Sequence, residues 1–224
     1  MSVADNIRSF LSSVPENVKV VAVSKTKPGD VIMEVYNEGH RVFGENKIQE
    51  LTAKSLELPK DIEWHMIGHL QSNKVKYISP FISLIHSVDS LKLLEVINRE
   101  GQKHNRIIEV LLQMYIADED TKFGLNETEL YNLLSSVERL SLENIRVRGL
   151  MGMATFTDIE SKIRFEFRKL EKIFRDTKES FFRNADYFSE LSMGMSNDYR
   201  IAIEEGATII RIGSLIFGER KYIT

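Results

Sequence analysis

Two turns rich in glycine and serine near the end of the chain have the composition of an anion-binding site. The first follows an apolar run and contains Gly194 and Ser196, and the second follows another apolar run and contains Gly213 and Ser214. Backbone N–H groups at such turns, and at the helix starts that follow them, lack partners within the helix and suit an anion that takes several short hydrogen bonds. We therefore predict that the two turns bind a phosphate group.

The second apolar run also contains a charge that needs a partner. Arg211 lies between Ile210 and Ile212. Burying a guanidinium costs several kcal/mol unless another group compensates it. The sequence leaves two explanations open, a bound ligand and a structural ion pair with a carboxylate of the core.

Apolar runs and helical stripes alternate along the chain. Continuous or β-branched apolar runs predict strands, and apolar residues at steps of three and four predict helices. The predicted strands span residues 18–24, 41–46, 62–68, 83–88, 109–116, 145–153, 187–193 and 208–217. Predicted helices lie between successive strands, among them 29–38, 47–58 and 70–78, and an amphipathic helix containing Ile7 and Phe10 precedes the first strand.

This alternation predicts one α/β domain over residues 1–224. Strands that alternate with helices require right-handed crossovers and a parallel sheet. Eight such units in a chain of 224 residues predict a closed (β/α)8 TIM barrel, with the extra N-terminal helix in place of a missing eighth helix. The alternative is an open doubly wound sheet, but no Gly-x-Gly-x-x-Gly follows the first strand, which removes most support for a dinucleotide site.

A barrel carries its active site where the strands end, and phosphate commonly lies by the loops after strands seven and eight. The candidate residues at predicted strand ends are Lys25, Asn46, Gly68, Met153, Ser196, Arg211, Gly213 and Ser214. Lys25 is the nucleophile among them, because desolvation and nearby cations favour a neutral amine that attacks carbonyl groups. The simpler alternative for Lys25 is a solvated lysine just past a strand.

The composition excludes several classes of function. A net charge of −3 gives no reason to expect nucleic acid or an anionic membrane as a partner. The absence of cysteine excludes disulfides, thiolate metal sites and a cysteine nucleophile. The N-terminus lacks the pattern of a signal peptide, and no apolar run approaches the roughly 20 residues of a membrane helix. We expect a soluble, cytoplasmic protein.

Histidines and acidic residues predict no further chemistry. His65 and His86 fall in predicted strands, where a hydrogen-bonded core histidine is the simplest interpretation. No His-Glu-x-x-His or comparable cluster is present, so we expect no metal site. The acidic run 118–120 is expected at the solvated surface.

Six motifs, in this order along nearly the whole chain, resemble the pyridoxal phosphate homeostasis protein family. They are Val21–Lys25 with the following Thr-Lys-Pro, Phe43–Asn46, Trp64–Lys74, Arg148–Met153, Leu191–Ser196 and Arg211–Gly218. Members of this family are single-domain relatives of the barrel domain of alanine racemase, the fold-type III group of pyridoxal phosphate proteins. His69 stands where many members carry a different residue.

The resemblance implies a role for six of the eight candidate residues. Lys25 would form the Schiff base, an internal aldimine, with the vitamin B6 cofactor pyridoxal 5'-phosphate. Arg211 would face the pyridine nitrogen, and Asn46 would line the pocket. The phosphate would be held by Ser196, Gly213 and Ser214. Because a guanidinium donates a hydrogen bond without protonating the ring, the cofactor would be a weaker electron sink than one with a carboxylate partner.

The function implied by this resemblance is intracellular homeostasis of pyridoxal phosphate, with the cofactor held on lysine and without substantial catalysis. We expect a monomer whose partners are the cofactor and pyridoxal-dependent apoenzymes. An amino-acid racemase is the alternative; it needs a second base on the opposite face of the substrate, which in alanine racemase a partner chain supplies. The chain ends at Thr224, directly after the eighth strand, which favours the carrier. A sugar-phosphate isomerase or aldolase would need an acid/base pair that the strand ends do not supply.

Overall fold

The computed structural model describes residues 2–117 and 123–219, so the acidic run 118–120 lies outside the described residues. Eight parallel strands pair in chain order and β8 pairs with β1, which closes the sheet. The predicted (β/α)8 barrel with a leading helix is confirmed. Its strands are β1 (Lys19–Val23), β2 (Val42–Glu45), β3 (Glu63–Met66), β4 (Leu84–Val88), β5 (Ile108–Gln113), β6 (Ile145–Met151), β7 (Glu190–Met195) and β8 (Ile209–Ile212).

Helices surround this barrel and bury their apolar stripes against it. In the longest helix, Ile163, Phe167 and Leu170 recur at helical spacing and are all buried. The helices are α1 (Val3–Ser12), α2 (Gly29–Asn37), α3 (Ile48–Glu57), α4 (Leu91–Lys103), α5 (Glu127–Leu140), α6 (Glu160–Phe181), α7 (Tyr199–Glu204) and α8 (Ser214–Phe217), with a 3-10 helix at Ser72–Tyr77 after β3. Within the described residues, none of them combines the length and the apolar character needed to cross a bilayer.

All eight predicted strands differ from the observed ones by at least one residue at an end, and three predicted elements differ in a way that bears on the packing. The segment 70–78 contains a six-residue 3-10 helix rather than an α-helix, and Val75 is its buried residue. The predicted strand 208–217 ends at Ile212, after which a turn leads directly into α8. The predicted strand 187–193 instead covers 190–195. Phe188 precedes the observed strand and is buried in a stack with Phe182, with ring centroids 4.2 Å apart.

The N-terminal helix completes the helical layer beside β8 and β1. The eighth strand does have its own helix, but α8 has only four residues. The first helix packs against α8 and α2. It buries Ile7 and Phe10, and the Asn6 side-chain amide donates to the carbonyl of Ile216 at 3.1 Å. It therefore supplements a short eighth helix, where the sequence predicted that it replaced a missing one.

The inside of the barrel is partly apolar and partly polar. One cluster packs Val21, Leu84 and Ile209 with neighbouring residues inside the sheet, while a larger cluster lies between sheet and helices. Successive side chains of a strand point to opposite faces, so residues two positions apart share a face. Arg211 therefore points inward like Ile209, and His86 points inward like Leu84. A charged and a titratable side chain thus lie in the barrel interior.

Candidate functional site

A cavity of ≈ 460 Å³ opens where the strands end, within the size range of small-molecule sites. Because β8 pairs with β1, the loops after β7 and β8 lie beside those after β1 and β2. The structure brings all six predicted site residues to this cavity, namely Lys25, Asn46, Ser196, Arg211, Gly213 and Ser214. The two ends of the chain therefore build one site.

The two glycine and serine turns contact each other directly. The backbone N–H of Gly213 donates to the hydroxyl of Ser196 at 3.3 Å. Ser196 is not the cap of the following helix, because Asp198 occupies that position and its carboxylate accepts from the N–H of Met195 at 2.6 Å. This bond turns the Asp198 carboxylate towards its own loop. The Ser196 hydroxyl contacts the second turn at the cavity instead.

The glycines of the two turns are required for different reasons. Gly194 has a φ of +91°, and a Cβ there would come within 2.6 Å of the Ala202 Cβ, so the fold itself demands glycine. Gly213 has an ordinary φ of −115°, and its Cβ would meet Val23 at a comfortable 3.6 Å. Neither conformation nor packing requires glycine at 213. The bare backbone at Gly213 instead leaves room for a ligand in the cavity.

The turn that carries Lys25 is tied to a buried ion cluster on its first side. The Ser24 hydroxyl donates to Glu45 Oε1 at 2.6 Å, and Lys54 Nζ donates both to the Ser24 carbonyl at 2.9 Å and to Glu45 Oε1 at 2.7 Å. Glu45 is fully buried and Lys54 nearly so. Burial raises the pKa of the Glu45 carboxyl, although the bonds from Lys54 and Ser24 oppose this rise.

The same cluster holds the other side of the turn. Thr26, directly after Lys25, has a φ of 66°, a left-handed conformation that costs a residue with a Cβ on the order of 1 kcal/mol or more. Its N–H donates to Glu50 Oε2 at 2.7 Å, and that oxygen lies 3.4 Å from Lys54 Nζ. We call Glu45, Glu50 and Lys54 the clamp. It fixes the backbone on both sides of Lys25 and thereby limits where the lysine side chain can reach.

Asn46 offers the cavity a buried hydrogen-bonding group. In the part of the chain that the structure describes, Asn46 Oδ1 is buried and has no hydrogen-bond partner. An unsatisfied buried acceptor costs about 1–3 kcal/mol. Gly68 packs against the backbone of Asn46, and a Cβ at Gly68 would collide with the Asn46 carbonyl oxygen. Gly68 thus positions Asn46, whose amide oxygen is available to a ligand that donates a hydrogen bond.

Arg211 is stabilised inside the barrel by neutral acceptors. Its Nη1 donates to the hydroxyl of Ser192 at 2.6 Å and its Nη2 to the carbonyl of Gly152 at 3.1 Å. Burial lowers the pKa of Arg211 to about 10, and the Asp198 carboxylate opposes this shift. The guanidinium therefore stays charged at neutral pH. The sequence left a bound ligand and a structural ion pair as explanations for Arg211. The hydrogen-bond partners in the structure are instead a hydroxyl and a backbone carbonyl.

A pair of histidines continues this network into the barrel. His86 Nδ1 lies 3.0 Å from the Ser192 hydroxyl, and His86 Nε2 lies 3.0 Å from His65 Nδ1. Both rings are buried, as predicted for core histidines. Burial lowers the pKa of His65 to about 3 and that of His86 well below its usual value. Both imidazoles are therefore neutral at physiological pH.

The buried histidines should make the fold sensitive to mild acid. In the unfolded chain a histidine becomes protonated below about pH 6.5, whereas His65 in the folded protein stays neutral until about pH 3. Between these values the unfolded state binds more protons, so the free energy of unfolding decreases as the pH is lowered. Between pH 7 and 5 His65 should cost the fold about 2 kcal/mol. His86 acts in the same direction. Urea unfolding at the two pH values measures the loss.

The matched control for this prediction is His65→Gln, whose amide oxygen can still accept from His86. Its loss of stability between pH 7 and 5 should be smaller by about 2 kcal/mol. Glu45 works in the opposite direction, since its raised pKa adds stability as pH falls, and it does so equally in both proteins. Equal slopes for the two proteins would contradict the assignment of acid sensitivity to His65.

Several residues of the cavity carry no signal in the sequence. The loop after β6 contributes Thr155, Phe156 and Asp158. Its shape depends on the buried Glu166 of α6, which accepts from the Thr155 N–H at 2.6 Å and from the Thr155 hydroxyl at 2.7 Å. A glutamate on a helix stripe gives no indication of such a contact. Lys27 also lines the cavity and donates to the Phe217 carbonyl at 2.9 Å.

His69 has a structural setting outside the cavity. Its ring stacks on Phe123 with centroids 4.8 Å apart, and its Nδ1 lies 3.7 Å from the Asp89 carboxylate.

Known proteins are similar in sequence to this chain over most of their length. The profile of the family described as "Alanine racemase, N-terminal domain" matches residues 1–221. The pyridoxal phosphate homeostasis protein of Aquifex aeolicus is 43% identical over 205 residues, which are 91% of this chain and 88% of that protein. The corresponding protein of Vibrio alginolyticus is 39% identical over 214 residues, with 93% and 89% covered.

A solved structure has the same fold. PipY of Synechococcus elongatus PCC7942, solved without PLP, is 34% identical, with a TM-score of 0.91 over 97% of this chain and 100% of that chain. The same protein has been solved with PLP bound, with a TM-score of 0.87. From this similarity in sequence and fold, we conclude that the chain belongs to the alanine racemase N-terminal domain family and, within it, to the pyridoxal phosphate homeostasis proteins.

Proposed function

We propose that this protein binds pyridoxal 5'-phosphate reversibly in the cavity and serves the intracellular homeostasis of that cofactor, without substantial catalysis of its own. One observation carries the proposal: an amine, two glycine and serine turns, an amide oxygen with no partner among the described residues and a charged guanidinium line a single cavity. Pyridoxal phosphate offers an aldehyde, a phosphate, a phenolic hydroxyl and a ring nitrogen. The relative PipY has been solved with this cofactor bound.

Lys25 holds the aldehyde end of the cofactor. The cofactor supplies a reactive carbonyl carbon, to which a neutral lysine amine can bond covalently with loss of water. The clamp fixes the backbone at Ser24 and Thr26, so the Lys25 side chain extends from a defined point of the backbone. A fixed starting position reduces the entropy lost when the bond forms.

The two turns hold the phosphate. Ser196 and Ser214 supply hydroxyl groups, and the backbone at Gly213 and Ser214 supplies N–H groups at the start of α8. The N–H of Gly213 and the hydroxyl of Ser196 already lie within hydrogen-bond distance of each other, so a phosphate oxygen can contact both. Charge-assisted hydrogen bonds of this kind are about twice as strong as neutral ones.

Arg211 and Asn46 serve the ring. The guanidinium is charged and can only donate, so it hydrogen-bonds the ring nitrogen and leaves it unprotonated. Such a ring withdraws electrons less strongly than a protonated one, and this property does not by itself separate a carrier from a racemase. The buried oxygen of Asn46 accepts from a hydroxyl of the ring.

Replacing Gly213 with Ala should weaken phosphate binding and leave the fold intact. The methyl group fits the protein, but it occupies space that the anion needs, and the loss of one hydrogen bond to a charged group weakens binding about tenfold or more. Stability should stay the same or rise by up to about 1 kcal/mol. Titration of the apoprotein with pyridoxal phosphate and urea unfolding measure the two effects.

Gly194→Ala is the matched control for Gly213→Ala. At Gly194 the positive φ and the contact with Ala202 make any side chain strained, so stability should fall by about 1–3 kcal/mol. If Gly213→Ala binds the cofactor as tightly as the parent protein, the phosphate does not lie at the second turn.

The amino-acid racemase remains the competing function. Solved alanine racemases share the fold, but the one from Clostridium difficile is only 16% identical to this chain, which covers 58% of it. Purified protein is incubated with L-alanine and excess pyridoxal phosphate, and D-alanine is measured. The carrier function predicts a visible cofactor band and negligible turnover. Racemisation faster than about 1 per second would support the enzyme instead.

The remaining proposals concern the cellular location, the oligomeric state and the partners of the protein. The protein acts as a cytoplasmic monomer that passes the cofactor to pyridoxal-dependent apoenzymes. Light scattering of the loaded protein should give the mass of one chain, 25.8 kDa. Mixing the loaded protein with an apoenzyme in the presence of a trap for free aldehyde should restore that enzyme's activity. A dimer, or no activation in the presence of the trap, would contradict these two proposals respectively.

A further inference from the structure

We propose that Ser192, His86 and His65 form a hydrogen-bond chain with a single direction, which positions Arg211 towards the cavity. The three residues are buried, come from three different strands, and link one after another to the guanidinium at distances of 2.6, 3.0 and 3.0 Å. They lie behind Arg211, away from the residues assigned to the cofactor above. The inference rests on the proposed function only for the role of Arg211 towards the ring.

The direction of the chain follows from the chemistry of its first member. A guanidinium has no acceptor, so the Ser192 hydroxyl must accept from Arg211. Within the described residues the Ser192 hydroxyl contacts Arg211 and His86, so its one proton is donated to His86 Nδ1, which then carries a lone pair. A neutral imidazole with a bare Nδ1 has its proton on Nε2, and that proton is donated to His65 Nδ1. The proton of His65 is therefore on its Nε2 as well.

Other arrangements of protons do not fit the same atoms. In the reverse direction the Ser192 hydroxyl would accept from both Arg211 and His86, and its own proton would have no acceptor among the described residues. A charged His86 would direct an N–H at Ser192 and would add a second buried cation two hydrogen bonds from the first. Burial and the charge of Arg211 both oppose that state. One tautomer of each histidine satisfies all three contacts and also gives the Ser192 proton an acceptor.

This chain explains how Arg211 remains charged without a carboxylate bonded to it. Each bond in the chain donates away from Arg211, so the negative end of each bond dipole faces the guanidinium, and successive bonds polarise one another. A carboxylate in the same place would neutralise part of the charge that the cofactor ring meets. Ser192 and His86 are thus positioning residues, which act on the cofactor through Arg211.

The first test uses the unaltered protein and does not depend on cofactor binding. Long-range 1H–15N NMR of 15N-histidine protein at pH 7 reads the protonation of each imidazole nitrogen. We expect His65 and His86 to be neutral, with the proton on Nε2 in both, with or without pyridoxal phosphate. A proton on Nδ1 of either residue, or a charged ring, overturns the proposal. A failure of cofactor binding would leave this readout unchanged.

The second test compares Ser192→Ala with His86→Gln. Removing the hydroxyl takes away one bond to Arg211 and frees His86, so His86 should become a mixture of tautomers, bound cofactor should change its absorption maximum, and its affinity should fall about tenfold. Glutamine at 86 can accept from Ser192 through its oxygen and donate to His65 through its nitrogen. His86→Gln should therefore keep the parent spectrum and affinity.

Two outcomes of this comparison oppose the proposal. Ser192→Ala with the parent spectrum and affinity would mean that the chain does not position Arg211. A spectrum altered as strongly by His86→Gln as by Ser192→Ala would mean that packing, and not the hydrogen-bond direction, determines the effect. If Ser192→Ala does not fold, the NMR measurement on the unaltered protein still decides the direction of the chain.

Discussion

Replacing Lys25 with Ala should abolish the covalent attachment of pyridoxal phosphate to this protein. The parent protein, loaded with cofactor and treated with borohydride, should carry a permanent label on the peptide that contains Lys25, because reduction makes the lysine–cofactor bond irreversible. The variant lacks the Lys25 amine that would form that bond at the end of β1. Mass spectrometry of the digested protein should show the label in the parent and none at this peptide in the variant.

The matched control is Lys172→Ala, which removes an exposed lysine paired with Asp176 on α6. It should label as fully as the parent, since that lysine lies on the outer face of the helical layer. The Lys25 variant should retain weak, reversible binding through the phosphate turns and Arg211. If it still acquires a reducible label of parental yield at another lysine in the cavity, such as Lys27, the assignment of the covalent bond to Lys25 is wrong.

Replacing Lys54 with Met should cause the largest loss of stability. It leaves the fully buried Glu45 without its cation, and breaking a buried ion pair from one side costs about 3–5 kcal/mol. Without Lys54 the pKa of Glu45 in the folded variant should rise further. Above the usual pKa of a glutamate, the unfolded chain has lost the proton while the folded variant still holds it. The loss should therefore be greatest at high pH and shrink as pH falls. Urea unfolding at pH 8 and pH 5 measures both effects.

A double variant separates the ion pair from its role at Lys25. Replacing both members, Glu45→Leu with Lys54→Met, removes the unpaired charge and should recover most of the stability. It should not recover cofactor affinity, because Ser24 has lost the partners of its hydroxyl and carbonyl. A double variant that binds the cofactor like the parent would show that the clamp stabilises the fold without positioning Lys25.

The sequence predicted the barrel and the six candidate residues because both depend on local signals. Alternating strands and helices determine the order of a parallel barrel, and a barrel places every strand end on one rim. Arg211 was identifiable because isoleucines flank it, and the two turns because glycine and serine follow apolar runs. Family resemblance, and not the spacing of residues, supplied the cofactor.

The supporting contacts were not predictable from the sequence, because they join side chains of different elements. Lys54 lies on α3 and looks like any lysine of a solvated helix face, yet it is buried against Glu45 and Ser24. His65 and His86 lie on the paired strands β3 and β4, and the register of that pair brings their rings to 5.0 Å. Local periodicity indicates which face a residue occupies, but it does not indicate which residue of another strand it meets.

The pairing of β1 with β8 also has a consequence for biosynthesis. The Lys27 side chain and the Phe217 carbonyl, which meet at the cavity, are 190 residues apart in sequence. A ribosome adds roughly 5–20 residues per second, so the first rim of the site emerges about 10–40 s before the last. A nascent chain cannot capture the cofactor in this way until its final strand has been released from the exit tunnel. Binding of the cofactor at this site therefore requires that all eight strands of the barrel have been translated.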